Sequence, residues 1–351
     1  MLEVTPKICI DGREVDYIKA GYSSTGDLKA AQLDFTIPLD IAVEKQLWNK
    51  EVTFFMNTSD AIPLFRGWIH RVKENYNDLQ IHAEDGFGYM LKGGGDNQAI
   101  IALTDEVNLD GLTAGAAISK AISLGNLNDK IKTDYIGDTS PVVSSVNPRL
   151  RGTMKIIDII KHFLTKAINT DTTDLPRPNI AKIIDDGTNS QLVLELLSDV
   201  TTAPISHIYD EYSNLTALEI INRKVPTIIV VNGKNGVKAT FEHTSAISAL
   251  DRSYLEVTNN NLTSPAACQD FAQKLYMANI NNRFQYSIKT FEGAYLVENS
   301  VIQINTGEKE YDGNYRVTGK NISFSPSQYE VSVLINKRPP TLAEYISSRD
   351  N

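Results

Sequence analysis

The chain has little cysteine and no long apolar run. Among its 351 residues there are two cysteines, Cys9 and Cys268, far apart in the chain. We therefore expect no disulfide framework, a reducing compartment, and two small buried side chains. No apolar run approaches the roughly 18–20 residues of a membrane span. The first residues lack the basic and apolar regions of a signal peptide. A soluble protein, not secreted by the general route, is expected.

Motifs of catalytic or metal chemistry are also missing. The sequence contains no HExxH, CxxC or GxSxG pattern. Glycine-rich stretches at 93–96 and 233–236 lack the full phosphate-loop pattern and are interpreted as a linker and a turn. The five histidines have no ligand spacing and are expected in the core or facing solvent: His70, His82, His162, His207 and His243. We predict no catalytic, cofactor-binding or metal-ligating residue, and no cofactor.

Two acidic segments and two tryptophans were weighed as sites. Residues 185–189, Asp-Asp-Gly-Thr-Asn, could ligate calcium but lack the distal glutamate of a calcium loop. Residues 82–85, His-Ala-Glu-Asp, could seed a hydrolase site, but adjacent strand residues point to opposite faces. A solvated turn and a strand end are favoured instead. Trp48 and Trp68 could stack on sugars, yet single aromatics in amphipathic strands are usually core.

The chain also has few basic residues for its size. A formal charge of −9 and a pI near 5.2 argue against a protein that grips nucleic acid, because such binding depends on Lys and Arg neutralising phosphates. An acidic protein can still let DNA pass without binding it.

What the sequence does contain is a strand-and-turn layout that occurs twice. Residues 50–85 and 299–335 each have a short apolar run, a turn, a strand, a second turn and an alternating strand. Trp68 and Ile81 lie 13 residues apart, and Val317 and Val331 lie 14 apart. Such strand spacing suits a small barrel or sandwich. Duplication of one β-module is one interpretation, and chance likeness between two meanders is the other.

The rest of the chain divides by changes in its pattern. Residues 1–92 are predicted to be a first β-barrel module, ended by three glycines at 93–95. An α+β insertion follows at 93–200. Residues 201–263 form a connecting segment that contributes to the insertion and to the second barrel. Residues 264–338 form a helix and the second barrel module, and 339–351 a C-terminal tail.

Individual helices and strands are predicted as follows. Leu33, Phe35 and Ile37 alternate within a strand at 31–38. Helices are expected at 114–124 after an N-cap at Thr113, at 154–168, at 216–223 from a capping-box spacing, and from Pro265 after an N-cap at Ser264. A hairpin is expected at 227–241. The fold class is α+β, mainly β.

Several motifs carry a resemblance to a known family. Leu64-Phe65-Arg66-Gly67-Trp68-Ile69 followed by residues 81–86 is similar to a family strand pair of the form F-x-G-x-I … x-A-x-D. A helix at 266–277, then strands at 284–288, 301–304, 312–317 and 329–333, is similar to the family's ending. In this order the chain resembles the baseplate hub proteins of contractile-tailed bacteriophages and the related valine-glycine-repeat spike proteins of type VI secretion. The middle region carries no match.

The resemblance implies a structural protein and not an enzyme. Hub proteins are trimers with two similar tail-tube-type barrels per chain, which present a pseudo-sixfold ring joining a hexameric tail tube to a threefold spike. The implied partners are a homotrimer, the tail tube or tube-initiator protein, a separate central spike protein and baseplate wedge proteins, with DNA passing through the lumen without specific binding. The implied location is the virion baseplate, with host cytoplasm during assembly.

Two other functions stay open. A tube initiator or distal tail protein would use the same barrel, with one module per chain. A carbohydrate-binding or depolymerising β-protein would need clustered aromatics and paired carboxylates, and no such cluster stands out in the sequence. The sequence assigns no interface residues.

Overall fold

The structure is a computed structural model that describes most of the chain. The described residues are 5–25, 29–39, 47–88, 100–109, 111–136, 149–166, 179–196, 198, 202–210, 215–222, 226–242, 252–260, 262–281, 284–290, 292–307, 312–325 and 328–336. The glycines at 93–95, His243 and the predicted tail lie outside these ranges, so the predictions for them are not tested.

Strands dominate the described residues. In chain order they are β1 (Lys7–Ile10), β2 (Arg13–Val15), β3 (Lys19–Thr25), β4 (Gln32–Pro38), β5 (Glu51–Phe55), β6 (Phe65–Glu74), β7 (Asp78–Glu84), β8 (Ile100–Asn108), β9 (Arg149–Lys155), β10 (Asn179–Asp185), β11 (Ser190–Leu196), β12 (Ile205–Asp210), β13 (Leu215–Asn222), β14 (Ile228–Asn232), β15 (Lys238–Glu242), β16 (Tyr254–Thr258), β17 (Phe284–Thr290), β18 (Val301–Asn305), β19 (Gly313–Ser325) and β20 (Gln328–Asn336).

The α-helices whose bounds lie within the described ranges are α1 (Ala114–Leu124), α2 (Ile156–Lys166) and α3 (Pro265–Asn281). Thr113 caps α1, since its side chain accepts a hydrogen bond from the backbone of Ala116. Ser264 caps α3, accepting from the backbone of Ala267 at 3.2 Å. Both predicted caps are confirmed. Short 3₁₀ turns lie at Lys234–Gly236 and Glu292–Tyr295. No described helix is both long and apolar enough to cross a membrane.

Thirteen of the twenty described strands lie in one sheet. Its path is β13-β17-β20-β19-β3-β4-β7-β6-β5-β1-β2, and β18 branches from β19 to pair with β12. Smaller sheets are β10-β11, β15-β14-β16 and β8-β9. This arrangement confirms the α+β, mainly β class. Among the described residues the large sheet has two ends and does not close into a barrel.

Two sets of six strands within this sheet share one neighbour order. The first module, which we define as β1 and β3–β7, has the order β1-β5-β6-β7-β4-β3. The second module, β12, β13 and β17–β20, has the order β12-β18-β19-β20-β17-β13. Corresponding neighbours are antiparallel in both, except that β1 is antiparallel to β5 whereas β12 is parallel to β18. The repeated strand layout is confirmed in the pairing.

Each module also has a bulge at the same place in its central hairpin. The pairing of β6 with β7 shifts between Ile69 and Arg71, and that of β19 with β20 shifts between Val317 and Gly319. A bulge adds one residue and increases local twist. The two bulges align Ile69 with Val317. The alignment by spacing, which matched Trp68 with Val317 and Ile81 with Val331, was therefore wrong by one residue at the first pair and by two at the second.

The two modules join through β3 and β19. Six residue pairs connect these strands, from Gly319 with Thr25 to Phe324 with Ala20. This contact is possible because β18 pairs only with residues 313–316 of β19 and leaves the later edge of β19 to β3. The chain therefore holds its two modules side by side in one continuous sheet.

The described residues form three hydrophobic cores. The largest lies under the thirteen-stranded sheet and contains residues of both modules, including Phe54 and Phe324, whose rings stack 4.6 Å apart. A second core joins α1, α2 and the β10–β11 hairpin. A third packs α3 against the β14–β16 sheet through Cys268, Ala272 and Leu275.

Two predicted helices need correction. A short helix was predicted at 216–223, but residues 216–222 belong to β13, which pairs with β17 along its length; residue 223 lies outside the described ranges. Pairing with a neighbouring strand decided the conformation over a local capping signal. The helix predicted from residue 154 begins at Ile156, because the preceding residues belong to β9 and pair with β8. Its apolar stripe of Ile156, Ile160, Phe163 and Leu164 is buried.

Candidate functional site

A polar groove of about 1350 Å³ runs along the face of the sheet opposite the largest core, where the two modules meet. Alternation along each strand places apolar side chains in the core and polar ones in the groove. The groove is lined from β3, β4, β6, β7, β19 and β20, mainly by Lys19, Gly21, Asp34, Thr36, Arg71, Lys73, Gln80, His82, Ser323, Ser325, Gln328 and Glu330.

Charges of both signs are mixed in this polar groove. Its basic side chains are Lys19, Arg71, Lys73 and His82, and its acidic ones are Asp34 and Glu330. Lys289 lies beside the groove, with its Nζ 2.9 Å from Glu330 Oε1 and 3.5 Å from Glu219 Oε1. The groove does not share the acidic balance of the whole chain.

His82 is bonded on both sides of its ring. Nδ1 lies 2.8 Å from Asp34 Oδ1, and Nε2 lies 3.0 Å from Glu84 Oε1. These hydrogen bonds, first to Asp34 and then to Glu84, raise the pKa of His82 to about 9. At neutral pH the ring is protonated, so both nitrogens donate. β4 and β7 place the three side chains together because Asp34 and His82 are opposite each other in the ladder.

Glu84 is closely packed, and the positions beside it have room only for glycine. Its residue is fully buried, and its Oε2 lies 4.0 Å from His70 Nε2. A Cβ added to Gly88 would overlap the Glu84 side chain, and one added to Gly67 would overlap the Glu84 carbonyl. The two glycines therefore allow the backbone to close around this buried carboxylate.

This cluster does not have the properties of a general acid or base. A catalytic base works best with a pKa near the operating pH, whereas His82 is held charged between two carboxylates. Residues 82–85 are the segment that the sequence marks as a candidate hydrolase site. The structure does bring His82 and Glu84 together, but as an ion cluster that ties β4 to β7.

Asp85 lies just beyond this cluster and has a separate role. It is buried, and its Oδ1 accepts from the backbone of Phe87 at 2.9 Å. Burial raises the pKa of Asp85 to about 7. The carboxyl closes the turn after β7, which fits the predicted strand end.

The second acidic candidate, residues 185–189, is the turn of the β10–β11 hairpin. Asp186 Oδ1 accepts from the backbones of Thr188 and Asn189 at 2.8 and 2.7 Å. Asp185 accepts from Gly187 N at 2.7 Å and from the Arg66 side chain. These carboxylate oxygens are used by the turn and by a link to β6. Within the described part of the chain, no three His, Cys, Asp or Glu side chains are grouped so that they could hold a metal ion.

A lysine that sequence reasoning missed is buried at the joint between the modules. Lys320, in β19, is 5% exposed, and its Nζ donates to the carbonyl oxygens of Ala294 at 2.6 Å and Leu296 at 2.9 Å. Burial lowers the pKa of Lys320 to about 8, against the effect of Glu298. Burial raises the pKa of Glu298 in turn. Sequence gave no signal for this, because a lone lysine in a strand normally faces solvent.

The other residues singled out from the sequence lie apart. Trp68 is 3% exposed and belongs to the interior, whereas Trp48 is 53% exposed. Cys9 and Cys268 are free and buried, as predicted. His207 lies on β12, with its Nε2 3.3 Å from Glu292 Oε2. The structure does not bring these residues to the polar groove.

Known structures share this fold. A tail protein from Neisseria meningitidis MC58 has a TM-score of 0.63 at 12% identity, covering 97% of this chain and 98% of that one. The 43 kDa tail protein of prophage MuSo2 from Shewanella oneidensis also scores 0.63, at 11% identity, with 97% and 99% covered. The E. coli c3393 protein scores 0.52 at 9% identity, with 96% and 80% covered. That protein is described as a type VI secretion component similar to the T4 tail proteins gp27 and gp5.

No protein-family model and no curated protein matches the sequence. At the identities above, the likeness to solved structures concerns the fold. It extends over nearly the whole chain in both directions for the two tail proteins. The resemblance to phage baseplate and type VI proteins is therefore confirmed for the overall fold, including the middle region where the sequence carried no match. The two closed barrels that it implies are not seen among the described residues.

Proposed function

We propose that this chain, which has the fold of phage tail proteins, is a structural baseplate hub. In this role three copies join the hexameric tail tube to the threefold central spike. The observation that carries the proposal is the repeated strand order of the two modules within one sheet. Three such chains present six modules to the tube, while the chains themselves keep the threefold symmetry of the spike.

The polar groove is proposed to line the channel through which DNA passes. What supports this is its position at the joint of the modules and its mixed charge. In the groove, the charge of His82 is opposed by Asp34 and Glu84, while Lys19, Arg71 and Lys73 can face phosphates. Contacts with phosphates carry no sequence information and allow a protein to slide along DNA. Such a wall would let DNA pass without specific binding.

The remaining parts of the role are proposals of the same kind. We propose that the modules complete two tail-tube-type barrels in the assembly, that the segments 1–92, 93–200, 201–263, 264–338 and 339–351 act as the units of the chain, and that the protein has no catalytic activity. The partners would be the tail tube or its initiator, a separate spike and baseplate wedge proteins. The location would be the virion, after assembly in the host cytoplasm.

The mass of the purified chain tests the proposal. Light scattering coupled to size exclusion, across a concentration series, should give three times 38.9 kDa at the higher concentrations. Averaged electron micrographs of that species should show a ring with six lobes and threefold symmetry. A hexamer would instead favour a tube initiator or distal tail protein. A monomer at every concentration would contradict a hub that assembles without its spike.

A further inference from the structure

We infer that each copy binds a second copy by pairing residues 71–74 of β6 with the outer edge of β13. The register would be the one that β19 and β3 show within one chain. This inference rests on the proposed function, because it names the surface through which neighbouring chains of the ring would meet.

The first module has a strand edge, with no described partner, that corresponds to the edge of the second module that pairs with β3. In the second module, β18 pairs with residues 313–316 of β19, and β3 pairs with residues 319–324. In the first module, β5 pairs with residues 65–68 of β6. Residues 71–74 pair with β7, and no described strand pairs with their other edge. The place that β3 fills beside β19 has no described occupant beside β6.

The complementary edge belongs to β13. In the strand order of the modules, β13 stands where β3 stands in the first. β3 pairs with β4 on one side and β19 on the other, while β13 pairs with β17 and ends the sheet as far as the structure describes it. An unpaired strand edge is a template for pairing with another chain. Because the two edges differ, copies would join head to tail.

The register of β13 against β6 follows from the position of the bulge in each module. When residue pairs are counted from the bulge across the neighbouring strands, Leu33 in β4 and Tyr286 in β17 occupy corresponding positions. Leu33 is opposite Tyr22 in β3, and Tyr286 is opposite Ile220 in β13. Ile220 therefore corresponds to Tyr22, so residues 217–222 of β13 correspond to residues 19–24 of β3.

One residue pair makes the register testable. Counting from the first residue after each bulge, Lys73 corresponds to Asn321. Asn321 is opposite Ser23 within the chain, and the counterpart of Ser23 is Ile221. Lys73 of one copy would therefore lie opposite Ile221 of the next. Glu219 would be the diagonal neighbour of Lys73, and opposite charges at such positions favour pairing.

Paired cysteines would report this contact. The test variant carries Lys73→Cys and Ile221→Cys in one full-length chain. A matched internal control carries Ser23→Cys and Asn321→Cys, which are opposite each other within the chain. An out-of-register control combines Lys73→Cys with Ala217→Cys, four residues or about 13 Å from the proposed partner. A disulfide needs Cα atoms within about 7 Å.

Mild oxidation should convert the test variant into multimers, seen on non-reducing gels, that end in a closed species of three chains. The internal control should change mobility without forming multimers, and the out-of-register variant should stay a single chain. The native cysteines are buried, and each single variant serves as a check on them.

The outcomes separate this inference from the proposed function. If light scattering gives a trimer and the internal control closes, yet the test variant cross-links no more than the out-of-register control, the β6–β13 pairing is wrong and the trimeric proposal stands. If the test variant cross-links into open polymers, the pairing is supported and the trimeric proposal fails. A chain that stays monomeric and uncross-linked at every concentration overturns both the β6–β13 pairing and a hub that assembles without its spike.

Discussion

Replacing His82 by alanine tests whether the ion cluster beside the groove stabilises the sheet through its charge. The bond from His82 to the fully buried Glu84 spans 3.0 Å, and hydrogen bonds to charged groups contribute about 1.5–3 kcal/mol. The bond to Asp34 reaches a carboxylate that is 62% exposed, so it should contribute under about 1 kcal/mol. His82→Ala should therefore cost about 2 kcal/mol near pH 6, and Asp34→Ala clearly less.

The pH dependence of this loss separates charge from packing. The pKa of His82 is raised from 6.5 to about 9 in the folded protein. A raised pKa stabilises the fold fully below the unfolded value of 6.5, and this stabilisation is lost as the pH rises through 9. A shift of about 2.5 pH units sets an upper limit of about 3 kcal/mol, which solvent at the ring reduces. The difference between wild type and His82→Ala should thus be largest near pH 6 and small at pH 10.

Urea unfolding of wild type, His82→Ala and Asp34→Ala at pH 6, 8 and 10 would measure these differences, with tryptophan fluorescence as the signal. Gln80→Ala, an exposed position on the same strand, is the matched control and should change the midpoint little. The reasoning would be refuted by an equal loss at pH 6 and pH 10 in His82→Ala. It would also fail if Asp34→Ala lost as much stability as His82→Ala.

Three further predictions concern a close backbone approach, a buried carboxyl and a helix cap. Gly67→Ala would push a Cβ into the backbone of Glu84 and should lower the free energy of unfolding by about 2–3 kcal/mol. The control Gly21→Ala, whose new Cβ would have its nearest atom 3.9 Å away, should lower it by less than about 1 kcal/mol. Equal urea midpoints for the two variants would contradict this. The pKa of Asp85 is raised from 3.8 to about 7, so its protonated carboxyl contributes up to about 4 kcal/mol to the free energy of unfolding at low pH. This contribution should be lost as the pH rises from 4 to 7, and Asp85→Asn should flatten the dependence of stability on pH over that range. Thr113→Ala should lower the thermal midpoint of the unit containing α1 by removing about 1 kcal/mol of capping, and Thr113→Ser, which keeps the hydroxyl, should restore it.

Alternation of apolar residues let the sequence predict individual strands. Leu33, Phe35 and Ile37 alternate with polar residues, and each is at most 2% exposed in the structure. The signal exists because one face of β4 is buried and the other faces the groove. The helices α1 and α3 were equally readable from their caps, since capping is a local interaction between neighbouring residues.

β13 shows where local signals mislead. Thr216 and Glu219 have capping-box spacing, which predicted a helix. The chain is nevertheless extended there, because β17 offers a ladder of partners along the whole segment. That information lies in residues about seventy positions away, so no local pattern could have revealed it.

The polar groove could not be predicted for a related reason. Its side chains come from six strands at the two ends of the sequence, and each taken alone resembles an ordinary solvated residue. The pairing of β3 with β19 brings them to one face. Likewise, the partners of His82 became visible only when the ladder placed Asp34 opposite it.

The proposed ring would contain two kinds of contact, and the chain provides them in unequal lengths. The contact within the chain pairs six residues of β19 with β3. The contact between chains would use only the four residues of β6 from Arg71 to Glu74, where the strand ends. A sixfold ring of single modules would require identical contacts, but a threefold ring of double modules allows them to alternate. The longer contact is also held by the covalent chain, so the shorter one should be the contact that opens on dilution. Concentration should therefore shift the protein between single chains and closed rings, with each chain keeping its own pair of modules joined.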